Sequence, residues 1–349
     1  MRSFSDPDRL IGQVPSRVAS ALSTVDVGRG SEALYRDQLP GLLRELANRA
    51  RVASITASSA IEGVMVEDAA RADRILAGRP MTLRTRSEQE LAGYRDAQDY
   101  LFQSNWRPIN VGLVLHVHRL LFAHTASPGG QFKTEDNLVV DRGPGGEISV
   151  RFRPVPATDT DFHVAELVDR YQHQVRAGCH HPVLLVGLFT LDLLVIHPFE
   201  DGNGRVARAL TNGLLMDAGY GVPKYVSLEQ EIAGSAETYY QALLGSTHGW
   251  HDEKADPWPW LTYFVDLLAG AYRTFASRAA ADRTDGSKQD RVRGYVLEHA
   301  PAIFRMRDVR AALPGVSDET IRLVLDRLRR DGEVAPEGLG RSASWRRIR

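Results

Sequence analysis

Apolar positions recur through most of the chain at intervals of three and four, the spacing of one helix face. The most apolar stretch, residues 182–196, carries a single charge at Asp192, and it predicts a helix buried on all sides. Pro198 disfavours helix at the residue before it, so this helix ends at His197. A second helix is predicted from Asn203 and Gly204 through Met216. Upstream, Leu42, Leu43, Leu46, Val52, Ile55 and Ile61 fall at near-helical spacing from about Pro40, and Gly63 supplies a stop. Residues 69–76, 87–102, 108–123 and 159–178 read as further helices. Glu237–Leu243 lies on another, and Trp250–Phe275 reads as a long one with Trp258, Trp260, Phe264 and Leu267 on its apolar side. Residues 1–30, with Pro15 and a break at Gly28 and Gly30, are mixed and are expected to pack on the surface rather than form a separate domain.

Two stretches break the helical pattern. Leu138–Val140 and Ile148–Phe152 alternate as short strands around the turn Gly143–Gly146. Residues 276–290 read as a helix tail and linker. Beyond it, helices are expected at Arg291–Ala300 and Met306–Leu313. A third follows the N-cap residue Ser317, with Ile321, Leu325 and Leu328 as its stripe. Val334–Trp345, with Gly338 and Gly340, suggests a hairpin wing. This last pattern resembles a winged helix, a relative of the helix-turn-helix. The class is mostly α, divided into a helical region at 1–105, a core at 106–275, a linker at 276–290 and the winged helix at 291–349.

At 349 residues the chain is long enough for two or three domains. A net charge of −1 argues against a protein built wholly around nucleic acid or an anionic membrane. Residues 287–349 carry fourteen Lys/Arg against nine Asp/Glu, so contact with DNA phosphates or with a protein is expected there, through Arg322, Arg329, Arg330, Arg341, Arg346 and Arg347. Cys179 is the single cysteine. It excludes an internal disulfide and fits a reducing compartment. Cys179, His180 and His181 lack the spacing of a zinc site. His116 and His118 are two apart and cannot share a helix face, so they read as satisfied helix histidines. The first residues have no apolar signal core, and the run at 182–196 is too short to span a bilayer comfortably. The cytoplasm is the expected compartment, without membrane contact.

The chemistry concentrates at residues 197–208. His197 is a candidate general base. Asp201 offers hard oxygens for a divalent cation such as Mg²⁺. Gly202, Asn203 and Gly204 let the backbone turn tightly and bring N–H groups to a ligand at a helix N-terminus, where anions are favoured. Arg205 and Arg208 are three apart and on a helix would share a face as a cationic fork. Together these groups suggest phosphoryl or nucleotidyl transfer.

This loop resembles the signature of the Fic family, His-x-Phe-x-(Asp/Glu)-Gly-Asn-Gly-Arg-x-x-Arg, at His197, Phe199, Asp201, Gly202, Asn203, Gly204, Arg205 and Arg208. The resemblance implies an ATP-dependent transferase that places AMP on a Ser, Thr or Tyr hydroxyl of a protein, with Mg²⁺ on Asp201. It makes His197 the base. The Gly202–Gly204 backbone becomes the phosphate cradle, Arg205 and Arg208 the grip on the β- and γ-phosphates, and Phe199 an inward anchor. Ser58, Glu62 and Gly63 resemble the family's inhibitory motif, (Ser/Thr)-x-x-x-Glu-(Gly/Asn), with Arg208 as the partner of Glu62. The hairpin at 138–152 sits where the family carries a flap that clamps the target backbone, and Lys133 stands where arginine is frequent. Tyr239 and Tyr240 match a pair near the nucleotide base. Residues 190–196 depart from the His-x-Gln-Phe pattern of relatives.

Three alternatives stay open at this point. Glu62 could orient a water and make the protein remove AMP. The winged helix could make it a DNA-binding, nucleotide-responsive regulator. The transferred group could be UMP. The expected partners are a protein target, the chain itself included, and a homodimer is compatible with the reading.

Overall fold

The computed structural model describes residues 3–103, 105–142, 148–284, 288–313, 315–337 and 344–348. The expected turn at Gly143–Gly146, the glycines 338 and 340 and Arg341 lie outside them. The fold is mostly helical. Contacts divide the chain into two units, one of residues 1–29 and 49–272, the other of 30–48 and 273–349.

The helices in chain order are α1 (Pro7–Ile11), α2 (Ser16–Gln38), α3 (Pro40–Ile61), α4 (Ala69–Leu76), α5 (Arg86–Gln103) and α6 (Val111–Leu121). Strands β1 (Val139–Arg142) and β2 (Ile148–Phe152) follow, then α7 (Thr160–Ala177), α8 (Pro182–Ile196), α9 (Asn203–Asp217), α10 (Leu228–Gly234), α11 (Ala236–Thr247) and α12 (Trp258–Thr284). β1 and β2 pair antiparallel, with Arg142 opposite Ile148 and an irregularity after Val139.

The first unit is organised on α8. Pro182 opens this helix, where a missing N–H is harmless, and the His181 side chain caps it by accepting from the Val183 N–H at 3.2 Å. Nearly all of its residues are buried, as its apolar run requires, and α7 and α9 pack against it. The lone charge is accommodated by three donors: Ser3 Oγ–H donates to Asp192 Oδ1 at 2.5 Å, Trp250 Nε1–H to the same oxygen at 2.6 Å, and the Ser3 N–H to Oδ2 at 3.3 Å. Burial pushes the Asp192 carboxyl up to about 6.

Residues 1–29 form no separate domain, as expected, but belong to the first unit and contribute side chains to its core. Phe4, Ile11, Val18, Leu22 and Val25 are buried, and α2 runs straight through Gly28 and Gly30. Gly28 is no break. A Cβ there would lie 2.5 Å from the Tyr272 ring, so the position needs a small residue for close packing. The long helix expected from Trp250 starts later. Trp250–Asp252 form a 3₁₀ turn, and α12 opens at Trp258 between Pro257 and Pro259, then continues to Thr284. The stretch read as tail and linker is therefore helical up to that residue.

α5 and α6 cross closely at Gly93, where a Cβ would fall 1.9 Å from the Leu121 carbonyl oxygen. Backbone cannot yield as a flexible side chain would. Gly93→Ala is expected to destabilise the protein by about 3 kcal/mol or more, read as a fall in the thermal or denaturant midpoint. An unchanged midpoint would show that this crossing is not close packed.

In the second unit, α13 (Lys288–Gly294) continues into one π turn to His299, where a single helix to Ala300 was expected. β3 (Ile303–Phe304), α14 (Met306–Ala312), α15 (Asp318–Arg330), β4 (Val334–Glu337) and β5 (Ser344–Arg347) complete it. The Ser317 side chain caps α15 as anticipated, accepting from the Thr320 N–H at 3.3 Å. The sheet order is β3-β5-β4, antiparallel throughout. Val292, Val296, Phe304, Val309, Ile321, Leu325 and Leu328 form the core, and Arg322, Arg329 and Arg330 are exposed on α15.

Candidate active site

The loop between α8 and α9 is shaped by its own side chains. His197 ends α8 in the left-handed region, at φ 51°, a conformation that a residue with a Cβ adopts only when its surroundings impose it. Phe199 is fully buried and stacks on the His118 ring at 3.8 Å between centroids. The Asn203 side chain binds both backbone groups of Phe199, accepting its N–H at 2.9 Å and donating to its carbonyl at 2.7 Å. Asn203 therefore fixes the loop through its side chain, which is turned to the Phe199 backbone. Gly202 caps α9 at φ 78°. Beneath the loop, His118 Nδ1 accepts from the Gly130 N–H at 2.9 Å, so its Nε2 carries the proton toward the Asp201 carbonyl at 3.2 Å. His118 is the satisfied helix histidine that the sequence suggested, and its ring is also the seat of Phe199.

His197 Nδ1 lies 3.2 Å from the Leu194 carbonyl oxygen. That oxygen can only accept, so Nδ1 carries the proton and Nε2 keeps a free lone pair. Burial pushes the imidazole down to about 4; the Leu194 bond opposes this and the Lys133 cation adds to it. At neutral pH His197 is thus an uncharged base. His118 is likewise pushed down to about 4, chiefly by burial. For both rings the folded state resists a proton that the unfolded chain accepts near 6.5. Their contribution to stability is complete above that value and is lost as pH falls through about 4. Denaturant midpoints measured from pH 7 to pH 4 are expected to drop, and less steeply for His118→Gln than for the parent.

Arg208 is buried and spoken for. Its Nε donates to Ser58 Oγ at 2.9 Å, and its Nη2 to the Ser58 carbonyl at 3.0 Å and to Glu62 Oε1 at 2.8 Å. Ser58 lies in the last turn of α3, Glu62 just past its end and Gly63 turns the chain away. A Cβ on Gly204 would meet Glu62 Oε1 at 2.3 Å. The Glu62 carboxylate therefore hangs over the first turn of α9, where orphan N–H groups favour an anion.

His197, Glu62, Gly204, Arg208, Tyr239 and Tyr240 share the lining of one cavity of about 520 Å³. Its far wall is apolar, from Leu191, Leu194, Val195 and Leu243, and Leu138, Arg151 and Phe152 of the hairpin region cover it. Tyr239 is buried edge-on to Tyr240 and Trp260. The Arg151 guanidinium lies over the Tyr240 ring at 4.7 Å.

Arg205 and Asp201 face elsewhere. Arg205 is buried with its Nη1 on Glu90 Oε2 at 2.5 Å and its Nη2 at 3.6 Å from Asp201 Oδ1. The expected fork is thus split: each arginine turns to its own carboxylate, Arg205 to Glu90 and Arg208 to Glu62. Asp201 accepts from the Gly202 N–H at 2.6 Å and from Arg86 Nη2 at 3.1 Å. It lines a second cavity of about 230 Å³ with Arg86, His118 and Glu200. Among the described residues no three His, Cys, Asp or Glu form a metal cage. Asp201 thus offers a single exposed carboxylate beside a helix N-terminus, paired here with Arg86. Glu90, His118 and Asn137 were not singled out from sequence as parts of the site, and Lys133 was noted only as standing where the family often has arginine. The charge of Glu90 on an otherwise buried helix face was the available signal.

Residues 108–215 match the model of the Fic/DOC family. Over 137 residues the chain is 33% identical to the protein adenylyltransferase Fic of Drosophila virilis and 34% identical to that of Drosophila mojavensis. Each match covers 38% of this chain but only 25% and 24% of those proteins, so the chain spans about a quarter of their length. In fold it is similar to a Fic family protein from Desulfovibrio desulfuricans, with a TM-score of 0.65 and 21% identity over 96% of this chain and 97% of that one. A Fic domain containing signaling protein from Bacteroides thetaiotaomicron aligns with a TM-score of 0.60 and 20% identity, over 76% and 97%. Among the described residues no helix is long and apolar enough to cross a membrane.

Proposed function

The chain belongs to the Fic/DOC family through residues 108–215, and on that premise we propose that it is a protein adenylyltransferase held in check by Glu62. In this reading a target hydroxyl oxygen attacks the α-phosphorus of ATP. The bond to the bridging oxygen breaks, diphosphate leaves, and the hydroxyl proton passes to His197 Nε2. The observation that carries the proposal is the shared cavity. It joins an uncharged imidazole with a free Nε2, the backbone N–H groups at Gly204, and Arg208 beside them. Negative charge developing on phosphoryl oxygens meets preorganised donors there. Asp201 is the residue that would hold Mg²⁺, which would neutralise part of the same charge, once its carboxylate turns from Arg86 and the neighbouring cavity that it lines. The apolar wall with Tyr239 and Tyr240 suits a flat base. The hairpin edge suits an extended stretch of target backbone.

Glu62 supports the regulatory half of the reading. An anion already sits where phosphate oxygens would go, bonded to the arginine that would bind them. The test is incubation with labelled ATP and Mg²⁺, following label on the protein itself. A second reading keeps the same site and reverses the flow: Glu62 lines the cavity with His197, where it could orient water on an AMP-protein. Loss of label from pre-labelled protein on addition of wild type, but not of Glu62→Gly, separates this from transfer.

A further inference from the structure

We propose that Lys133 is the positioning residue for His197, fixing the loop carbonyls on either side of it and holding a cation at the peptide that joins Ile196 to His197. This rests on the reading of His197 as the base. Lys133 precedes the hairpin, yet its side chain is buried beneath the loop. Its backbone N–H donates to the Pro198 carbonyl at 2.9 Å, and its Nζ donates to the Ile196 carbonyl at 3.3 Å and to Asn137 Oδ1 at 2.9 Å. Asn137 then donates through Nδ2 to the Phe199 carbonyl at 2.9 Å. The carbonyls of residues 196, 198 and 199 are therefore all tied to one short segment, and His197 lies between the first two. Ile196 ends α8, so its carbonyl has no partner within the helix. The left-handed backbone of His197 needs restraint from outside the loop, and this segment supplies it.

A neutral donor would serve as a strut. An ammonium group under the loop is unfavourable to bury, and burial lowers Lys133 to about 8. Its partners at hydrogen-bond distance are neutral oxygens. The charge acts instead on His197. The charged groups facing that imidazole are Lys133, which disfavours its protonation, and Glu62 and Asp201, which favour it. When Glu62 gives way to a triphosphate, the negative charge near the imidazole rises. Lys133 then offsets that charge and keeps Nε2 free to take the hydroxyl proton.

The experiment uses the full chain in the Glu62→Gly background, with labelled ATP and Mg²⁺ and with ¹³C-histidine NMR of His197. Lys133→Met is expected to lower kcat for self-labelling about 100-fold, with the KM for ATP nearly unchanged, and to shift the His197 titration upward. Lys133→Arg, which keeps the charge and the donors, is expected to restore most of the rate and the titration. Lys133→Gln keeps a donor without the charge. It covers the case in which Met fails to fold, and should shift the titration in a folded protein. Two outcomes overturn the proposal. One is a Met variant that labels like its parent. The other is equal loss in Met and Arg variants with an unmoved His197 titration, as a mere strut would give. If His197→Ala labels fully in the same background, the base reading fails instead, and the NMR titration still reports whether Lys133 acts on His197.

Discussion

Glu62→Gly labels itself with AMP from ATP about ten- to a hundredfold faster than wild type, the range of a typical coupling between competing occupants of one site. The expectation follows from where the carboxylate sits. Glu62 Oε1 is 2.8 Å from Arg208 Nη2 and lies over Gly204, at the N-terminus of α9. A phosphate must displace it to reach either group. Nucleotide affinity is then reduced by the fraction of molecules in which the position is free. Removing the side chain frees both the arginine and the helix end without touching His197. Arg208 keeps its two bonds to Ser58, so the guanidinium stays in place for the incoming anion. Equal labelling by the two proteins would refute the inhibitory role. Labelling that rises only at low ATP would mean that Glu62 competes for binding alone, without blocking a productive pose.

His197→Ala in that background lowers labelling by about 10²- to 10⁴-fold, the usual contribution of a general base. The imidazole is matched to this task by its surroundings. Burial holds it down near 4 and the Leu194 carbonyl fixes the proton on Nδ1, so the base form is ready at neutral pH. The loss is expected in kcat with little change in the KM for ATP, because in the proposed reaction His197 meets the hydroxyl in the transition state and does not hold the phosphates. Retention of full labelling would remove His197 from the reaction. The parent should keep its rate as pH is lowered from 7 toward 5, since the imidazole takes up a proton only near 4.

Much of this was legible in the chain because it is local. The apolar run of α8, Pro198 after its end, and the glycines at 202 and 204 act within a few residues of themselves. They set a helix, a sharp turn and a helix start that no distant partner is needed to specify. The spacing of Ser58 and Glu62 likewise placed both on one side of α3, and both reach Arg208. Spacing alone misled where partners mattered. By spacing Arg205 and Arg208 would share a helix face, but which carboxylate each meets depends on α5 and on the end of α3, far away in sequence. Gly28 reads as a break from composition, and only the Tyr272 ring against it explains why the helix continues.

The sequence by itself determined the helical class and the identity of the chemical groups at 197–208, since residue type and periodicity depend on neighbours within a turn or two. The tertiary structure decided the rest. It placed the cation of Lys133 under the loop between α8 and α9, seated Phe199 on His118, gave Glu90 to Arg205 and laid Glu62 across the end of α9. Each of these is a contact between segments far apart in the chain, where burial and the pairing of charge, not local propensity, select the partner.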